Sequence, residues 1–251
     1  METDKIALQL YTVRGLTAQD MAGTLRQVAD LGIRAVELAG YGGMQAAELR
    51  AALDALGMRA VSAHVPMTDF EHRLDTVIDE LQTLGCGHAI VPSLPNERRG
   101  IDQVTDIATA FNRWGLRCEE AGMRFGYHNH DFEFQPGNGQ TLFDALTEQT
   151  DPGLVSLEVD AGWVDHAGVD TPALIQKHAG RVALLHVKDI SREGAPDAPV
   201  GTGVVNWPPI LAAAREIGVE WYVIEQDHPS DQPLEDVKTS LANLTALLAQ
   251  V

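Results

Sequence analysis

The sequence predicts a single (β/α)8 TIM barrel, on the basis of its length, its composition and one repeated pattern. The chain has 251 residues, 45% of them hydrophobic, which is enough for one large core and is a usual length for such a barrel. Short β-rich apolar runs alternate with longer amphipathic stretches until the chain ends, without a Ser/Pro/Gly-rich linker. We therefore expect one domain over residues 1–251.

Eight strands are predicted in order, at residues 6–10, 35–38, 60–64, 89–92, 124–129, 154–160, 182–188 and 221–226. The clearest helical patterns between them span residues 21–31, 46–56 and 74–84, with Leu, Val and Ala at three- and four-residue spacing. Gly32, Gly57 and Gly85 follow these helices, as expected for residues that adopt the left-handed conformation after a helix. Strict alternation of strands and helices requires a parallel sheet with right-handed crossovers, and eight units of about 30 residues fit a closed barrel.

An open, doubly wound sheet is the alternative architecture for the same alternation. Such sheets commonly carry a glycine-rich phosphate-binding motif, GxGxxG or GxxxxGK[ST], after the first strand. The segment LYTVRGLTAQD at this position contains neither motif, which favours the closed barrel.

Charge and terminal sequence exclude several classes of partner. The formal net charge of -18 opposes binding to nucleic acid, because phosphate contacts need clustered Lys and Arg. No run of about 18 apolar residues is present, so no membrane partner is expected, and METDKIALQLYTV lacks the basic and apolar regions of a signal peptide.

Cys86 and Cys118 are far apart and form no CxxC motif. We expect a cytoplasmic protein with two reduced, buried thiols.

Polar residues that can bind a metal ion occur at the C-terminal ends of several predicted strands, where barrels assemble their active sites. Residues two apart on a strand share a face, so Glu158 and Asp160 point the same way, and so do His186 and Lys188. Asp160, His186 and Glu225 therefore face the barrel mouth together. Carboxylate and imidazole ligands suit one divalent ion, namely Mn²⁺, Mg²⁺, Co²⁺ or Zn²⁺.

The ligand from strand 5 is left open between Glu133 and His128. His128 and His130 share a face, whereas Glu133 reaches the metal only if the chain bends after Asn129, as the turn-rich HDFEFQPGNG suggests. Glu133 is the preferred fourth ligand. Simple helix caps or rim hydrogen bonds are expected for Asp189 and Asp227, and the irregular stretch 191–206 is either a substrate-covering loop or an ordinary surface loop.

At HNHDFEF, LEVDAGW, LLHVKD and VIEQD, the chain resembles the xylose isomerase-like barrel superfamily of sugar isomerases and epimerases, which also contains inosose dehydratases and ketose 3-epimerases. The resemblance implies a metal bound by strands 5 to 8 and matches its ligands to Asp160, His186 and Glu225. Where many relatives have Glu-Asn-His in strand 5, this chain has His128-Asn129-His130. The segment GTGVVNW resembles a family motif that often has Asp in place of Asn206.

The resemblance implies a substrate that is a sugar or polyol ketone, activated by the metal through its carbonyl and a neighbouring hydroxyl, with an enediolate formed by proton removal. Candidates to move the proton are Glu225, Glu133 and His128, with Glu158 orienting a hydroxyl. Expected substrate-binding residues are His64, His130, Trp163 and Lys188. Isomerisation or epimerisation ranks first, and dehydration of an inosose or 3-keto-glycoside ranks second.

Two further functions belong to other classes. An abasic-site endonuclease shares the fold, but the net charge of -18 opposes a DNA-binding face. A non-catalytic sugar-binding barrel would need neither a metal nor an acid–base pair. The resemblance also implies a homo-oligomer.

Overall fold

The computed structural model describes residues 2–137, 139–191 and 197–251, and it confirms the closed (β/α)8 barrel. The barrel strands are β1 (Ile6–Gln9), β2 (Ala35–Ala39), β3 (Arg59–His64), β4 (His88–Val91), β5 (Arg124–His128), β6 (Val155–Asp160), β7 (Val182–Val187) and β8 (Trp221–Ile224). Neighbouring strands pair in parallel, and β1 pairs with both β2 and β8, which closes the sheet and excludes the open alternative.

Helices cover the outside of the barrel. They are α1 (Arg14–Thr17), α2 (Met21–Asp30), α3 (Ala46–Ala55), α4 (Met67–Leu84), α5 (Val104–Glu120), α6 (Leu142–Gln149), α7 (Ala161–His166), α8 (Thr171–Lys177), α9 (Trp207–Ile217) and α10 (Pro233–Leu248). Short 3-10 turns lie at Glu2–Lys5, Leu10–Val13, Asn96–Arg98, Ile101–Gln103 and Phe132–Phe134, and a small ribbon pairs Pro136–Gly137 with Gln140–Thr141. No helix in the described ranges is long and apolar enough to cross a bilayer.

The predicted helix at residues 74–84 proves to be the second half of a longer helix. α4 begins at Met67 and continues through Arg73, whose backbone departs from helical geometry with φ -144° and ψ 33°. This irregularity breaks the phase of the apolar spacing, which is why the sequence pattern marks only the later part. The helix ends at Leu84, and Gly85 after it has the predicted left-handed conformation with φ 73°.

The barrel interior changes from apolar to polar along four of the strands, namely β1, β2, β7 and β8. Ala7, Ala35, Leu184 and Val223 are buried apolar residues of the lower barrel. The residues two positions further along the same strands are Gln9, Glu37, His186 and Glu225, and all four are buried as well. Because residues two apart share a face, these polar groups form the next layer inside the barrel, at the C-terminal ends of the strands. Cys86 and Cys118 are buried free thiols, as predicted.

Candidate metal centre

Buried ionisable side chains fill the C-terminal end of the barrel, from six different strands or the residues that follow them. Two overlapping groups each have ligand atoms within 4.8 Å of one another. The first group contains His64, His128, Glu158 and His186, and the second contains His128, Asp160, His186 and Glu225. The second group brings together the three ligands predicted from strands 6, 7 and 8 and adds His128 from β5.

The second group combines two carboxylates with two imidazoles. His186 Nδ1 lies 2.8 Å from Glu225 Oε2, and His128 Nε2 lies 3.6 Å from Asp160 Oδ2. Asp160 ends β6 and caps α7, because its Oδ1 accepts a hydrogen bond of 3.0 Å from the Trp163 backbone N–H. Its other oxygen, Oδ2, is buried and lies 3.0 Å from the Lys188 ammonium group. Burial raises the pKa of Asp160 to about 6, against the opposing effect of Lys188.

The first group is centred on Glu158. His64 Nε2 donates a hydrogen bond of 2.6 Å to Glu158 Oε2, and this oxygen lies 3.2 Å from His128 Nδ1 and 3.3 Å from His186 Nε2. Burial alone would raise the pKa of Glu158, but the imidazoles of His186 and His64 hold it well below its usual range. The Oε1 atom of Glu158 is buried without a hydrogen-bond partner.

The sequence analysis missed Glu37, a fully buried carboxylate on β2. Its Oε1 atom lies 2.9 Å from His186 Nε2 and 3.1 Å from His64 Nε2. An acidic residue within the apolar strand segment AVELA was the available signal, because a buried charge has to be paired. Glu37 stands in the middle of β2 and not at its C-terminal end, where the other ligands were expected.

Lys188 pairs with three carboxylates of the cluster. Its Nζ lies 3.0 Å from Asp160 Oδ2, 3.1 Å from Glu225 Oε2 and 2.6 Å from Asp227 Oδ2. The contact with Asp227 is a hydrogen bond, and the contacts with Asp160 and Glu225 are ion pairs. Asp227, for which a simple rim bond was expected, is thus part of the charged cluster.

The glycine of LEVDAGW explains how Lys188 is placed. A Cβ atom at Gly162 would lie 2.5 Å from the Lys188 carbonyl oxygen and 3.0 Å from the Lys188 Cβ. Only glycine lets α7 approach β7 this closely.

A cavity of about 610 Å³ opens over the cluster, within the size range of small-molecule sites. Its lining includes His64, His128, His130, Glu225, Asp227, Tyr11, Tyr41, Asp69 and Arg73. Among the predicted substrate-binding residues, His64 and His130 line this cavity, whereas Trp163 lies behind His130 with ring centroids 5.7 Å apart. Burial and the nearby Lys188 lower the pKa of His130 to about 4, so its imidazole is neutral at neutral pH.

Glu133 is not brought into either group. β5 ends at His128 and the chain does bend, but the turn Phe132–Phe134 directs Glu133 away from the barrel axis. Its carboxylate accepts hydrogen bonds from the Tyr127 hydroxyl and, at 2.8 Å, from the His130 backbone N–H. Tyr127 faces the outer layer, where its ring packs against Phe111 of α5. The structure therefore supplies His128, in place of the preferred Glu133, as the strand 5 member of the second group.

Asp189 organises the chain after β7. Its carboxylate accepts hydrogen bonds from the backbone N–H groups of residues 190, 201, 203 and 205 and from the indole N–H of Trp207, at 2.8 to 3.1 Å. Within the predicted irregular stretch 191–206, residues 192–196 lie outside the described residues. Asn206 precedes α9, and its side chain makes no capping hydrogen bond.

Comparison with known proteins gives both a family and named relatives. The family model described as xylose isomerase-like TIM barrel matches residues 25–247. An inosose dehydratase of Geobacillus kaustophilus is 26% identical over 245 residues, which cover 81% of this chain and 79% of that protein. An inosose dehydratase of Geobacillus thermodenitrificans is 33% identical over 153 residues, but that match covers 51% of this chain and 49% of the relative.

Two solved structures are similar over nearly the whole chain. A sugar phosphate isomerase/epimerase from Parabacteroides distasonis has a TM-score of 0.83 and 26% identity, and the match covers 96% of this chain and 93% of that one. The IolI protein with a bound zinc atom has a TM-score of 0.79 and 12% identity, with 98% of each chain covered. The second likeness concerns the fold alone.

Proposed function

Because the chain belongs to the xylose isomerase-like TIM barrel family, we propose that it is a divalent-metal-dependent isomerase or epimerase of a keto-sugar or related polyol ketone. The observation that carries this proposal is the second group, His128, Asp160, His186 and Glu225, with ligand atoms within 4.8 Å of one another beneath a cavity. Nitrogen and carboxylate ligands of this kind suit Mn²⁺, Mg²⁺, Co²⁺ and Zn²⁺. Asp160 Oδ1 caps α7, which leaves the buried Oδ2, 3.6 Å from His128 Nε2, to bind such an ion.

A bound ion at this position supplies Lewis acidity that polarises a substrate carbonyl and favours loss of the proton on the adjacent carbon. Glu225 lines the cavity and is the group that accepts that proton. Burial opposes its ionisation, but Lys188 and His186 hold its pKa well below the usual range, so the carboxylate is ionised. His64 also lines the cavity and has Glu158 behind it at 2.6 Å. This imidazole returns a proton to the enediolate, and the neutral His130 binds a substrate hydroxyl.

Dehydration is the second candidate, and the named relatives favour it. The inosose dehydratase of Geobacillus kaustophilus matches across 81% of this chain. Loss of a β-hydroxyl begins with the same proton removal by Glu225, after which His64 would protonate the departing hydroxyl instead of a carbon. The two reactions therefore share their first step and differ in the fate of the enediolate.

Incubation with ketoses, inososes and 3-keto-glycosides in deuterated water separates these functions. Deuterium beside the carbonyl with an intact carbon skeleton and no loss of water supports isomerisation or epimerisation, and loss of water supports the dehydratase. Glu225→Gln should abolish exchange. Absence of exchange with every substrate in metal-loaded protein would refute both. Metal content below about 0.2 equivalents after chelator-free purification would instead favour a non-catalytic sugar-binding barrel.

A pair of variants tests the strand 5 ligand. His128→Ala removes a donor of the second group and should weaken zinc binding by at least about 100-fold. Glu133→Gln is the matched control, because its carboxylate contacts Tyr127 and a backbone N–H rather than the cluster. A larger loss of zinc affinity in Glu133→Gln than in His128→Ala would reverse this assignment.

A further inference from the structure

Glu37 is in contact with His186, which belongs to both groups of metal-binding side chains. The carboxylate is fully buried on β2 and contacts side chains from β1, β3 and β7. Neither group contains it, although its Oε1 atom lies 2.9 Å from His186 Nε2.

The amide orientation of Gln9 fixes the role of this oxygen. Gln9 Oε1 accepts a hydrogen bond of 3.0 Å from the Tyr11 backbone N–H, so the other amide atom, Nε2, faces Glu37. Gln9 Nε2 donates to Glu37 Oε1 at 2.5 Å, and the Ser62 hydroxyl occupies Glu37 Oε2, also at 2.5 Å. Glu37 Oε1 is therefore an acceptor, and His186 Nε2 has to carry the hydrogen that lies between them.

We propose that Glu37 is a positioning residue that keeps the hydrogen of His186 on Nε2 and thereby presents Nδ1 to the metal ion. This inference rests on the proposed function. His186 Nδ1 faces Glu225 Oε2 at 2.8 Å, which is the side of the second group. Its Nε2 faces Glu158 Oε2 at 3.3 Å, which is the side of the first group.

The same contact selects between the two overlapping groups. A ring nitrogen that carries a hydrogen has no lone pair for a metal, so His186 cannot serve the first group through Nε2. The ion is therefore directed to His128, Asp160, His186 and Glu225. Carboxylates behind metal-binding histidines typically contribute 10–100-fold to metal affinity, because they fix the tautomer and the orientation of the ring.

Nitrogen-15 NMR of His186, combined with zinc titration, tests the proposal. In the zinc-loaded protein we expect a coordinated Nδ1 and a hydrogen on Nε2. Glu37→Leu removes the acceptor and should lower zinc affinity about 10–100-fold while releasing the fixed tautomer. Glu37→Gln keeps an oxygen for Gln9 and His186 and turns its amide nitrogen to Ser62, so it should retain Nδ1 coordination with a smaller loss of affinity.

Ser62→Ala is the matched control, since it removes a bond to the other oxygen of Glu37 and should leave Nδ1 coordination and zinc affinity close to wild type. Zinc coordinated through Nε2 in the wild type would overturn the role of Glu37 even if Glu37→Leu failed to fold. If the wild type carries the hydrogen of His186 on Nε2 but binds no metal, the proposed function is refuted, whereas the effect of Glu37 on the tautomer stands.

Discussion

Lys188 places one buried positive charge among the carboxylates of Asp160, Glu225 and Asp227. Lys188→Met leaves these carboxylates without their ammonium partner, and loss of one partner of a buried ion pair costs about 3–5 kcal/mol. With chelator present, we expect Lys188→Met to lower the free energy of unfolding by this amount. With saturating zinc the decrease should be smaller, because the ion compensates the charges of Asp160 and Glu225. Urea unfolding under both conditions measures it, and equal losses would contradict the proposed centre.

Glu133 should make stability depend on pH in an unusual direction for a carboxylate. Burial raises its pKa from 4.5 to about 7, although hydrogen bonds from Tyr127 and the His130 backbone oppose the shift. The unfolded chain then ionises at lower pH than the folded protein. The contribution of Glu133 is fully present below about pH 4.5 and is lost as pH rises through 7, by up to about 3 kcal/mol.

Urea unfolding of wild type and Glu133→Gln from pH 4.5 to 8 checks this prediction. The difference in the free energy of unfolding that favours the wild type over Glu133→Gln should decrease as the pH rises. A difference that stays constant across this range would show that Glu133 is not perturbed.

The alternation of side-chain direction along a strand explains which site residues could be predicted from the sequence alone. Asp160, His186 and Glu225 stand on or directly after regular strands, where alternation tells which side chains face the axis. Glu133 stands in a 3-10 turn, where side chains do not alternate between two faces. The direction of its side chain depends on the hydrogen bond from the Tyr127 hydroxyl. Glu37 lay in a correctly predicted strand, but its partners Gln9, His64 and His186 come from three other strands. Such pairings follow from the closed barrel and not from local sequence.

At the scale of elements, the segment after β7 depends on one carboxylate. Asp189 accepts five hydrogen bonds and is buried. Asp189→Asn replaces one acceptor oxygen with an amide nitrogen that faces donors, and we expect a loss of about 2–4 kcal/mol of unfolding free energy. Faster amide exchange at residues 201, 203 and 205 should accompany it. Asp231→Asn, at an exposed carboxylate, is the control. Unchanged amide exchange at these residues would show that Asp189 does not stabilise the segment after β7.

The boundaries of the strands were predicted to within two residues because each is a short apolar run between polar turns. Helix α4 was only half predicted, since its irregular residue Arg73 interrupts the periodicity. The location of the site at the C-terminal ends of the strands followed from the barrel itself. The sequence could not show that two groups would overlap there, because the overlap depends on ring orientations of His128 and His186.

At the scale of the whole molecule, metal binding should stabilise the fold. An ion that binds only the folded chain adds about 2.7 kcal/mol at 100 times its dissociation constant. For a chain of this size, that corresponds to a rise in Tm of roughly 5–10 °C. Thermal unfolding with zinc and with excess chelator measures the difference. Identical Tm values would contradict the proposed centre, and His128→Ala should abolish the shift.

The centre also has a consequence for folding, because its parts are distant along the chain. Glu37 contacts His186, 149 residues later, and Gln9 lies on the first strand whereas Glu225 follows the last. Contacts of such long range form late, since the chain loses much entropy before they are made. The four side chains of the second group lie on or directly after the last four strands of the barrel, and the contact between His186 and Glu37 requires β2 as well. An ion that binds only the assembled barrel does not nucleate folding. It should slow unfolding and leave the rate of folding unchanged.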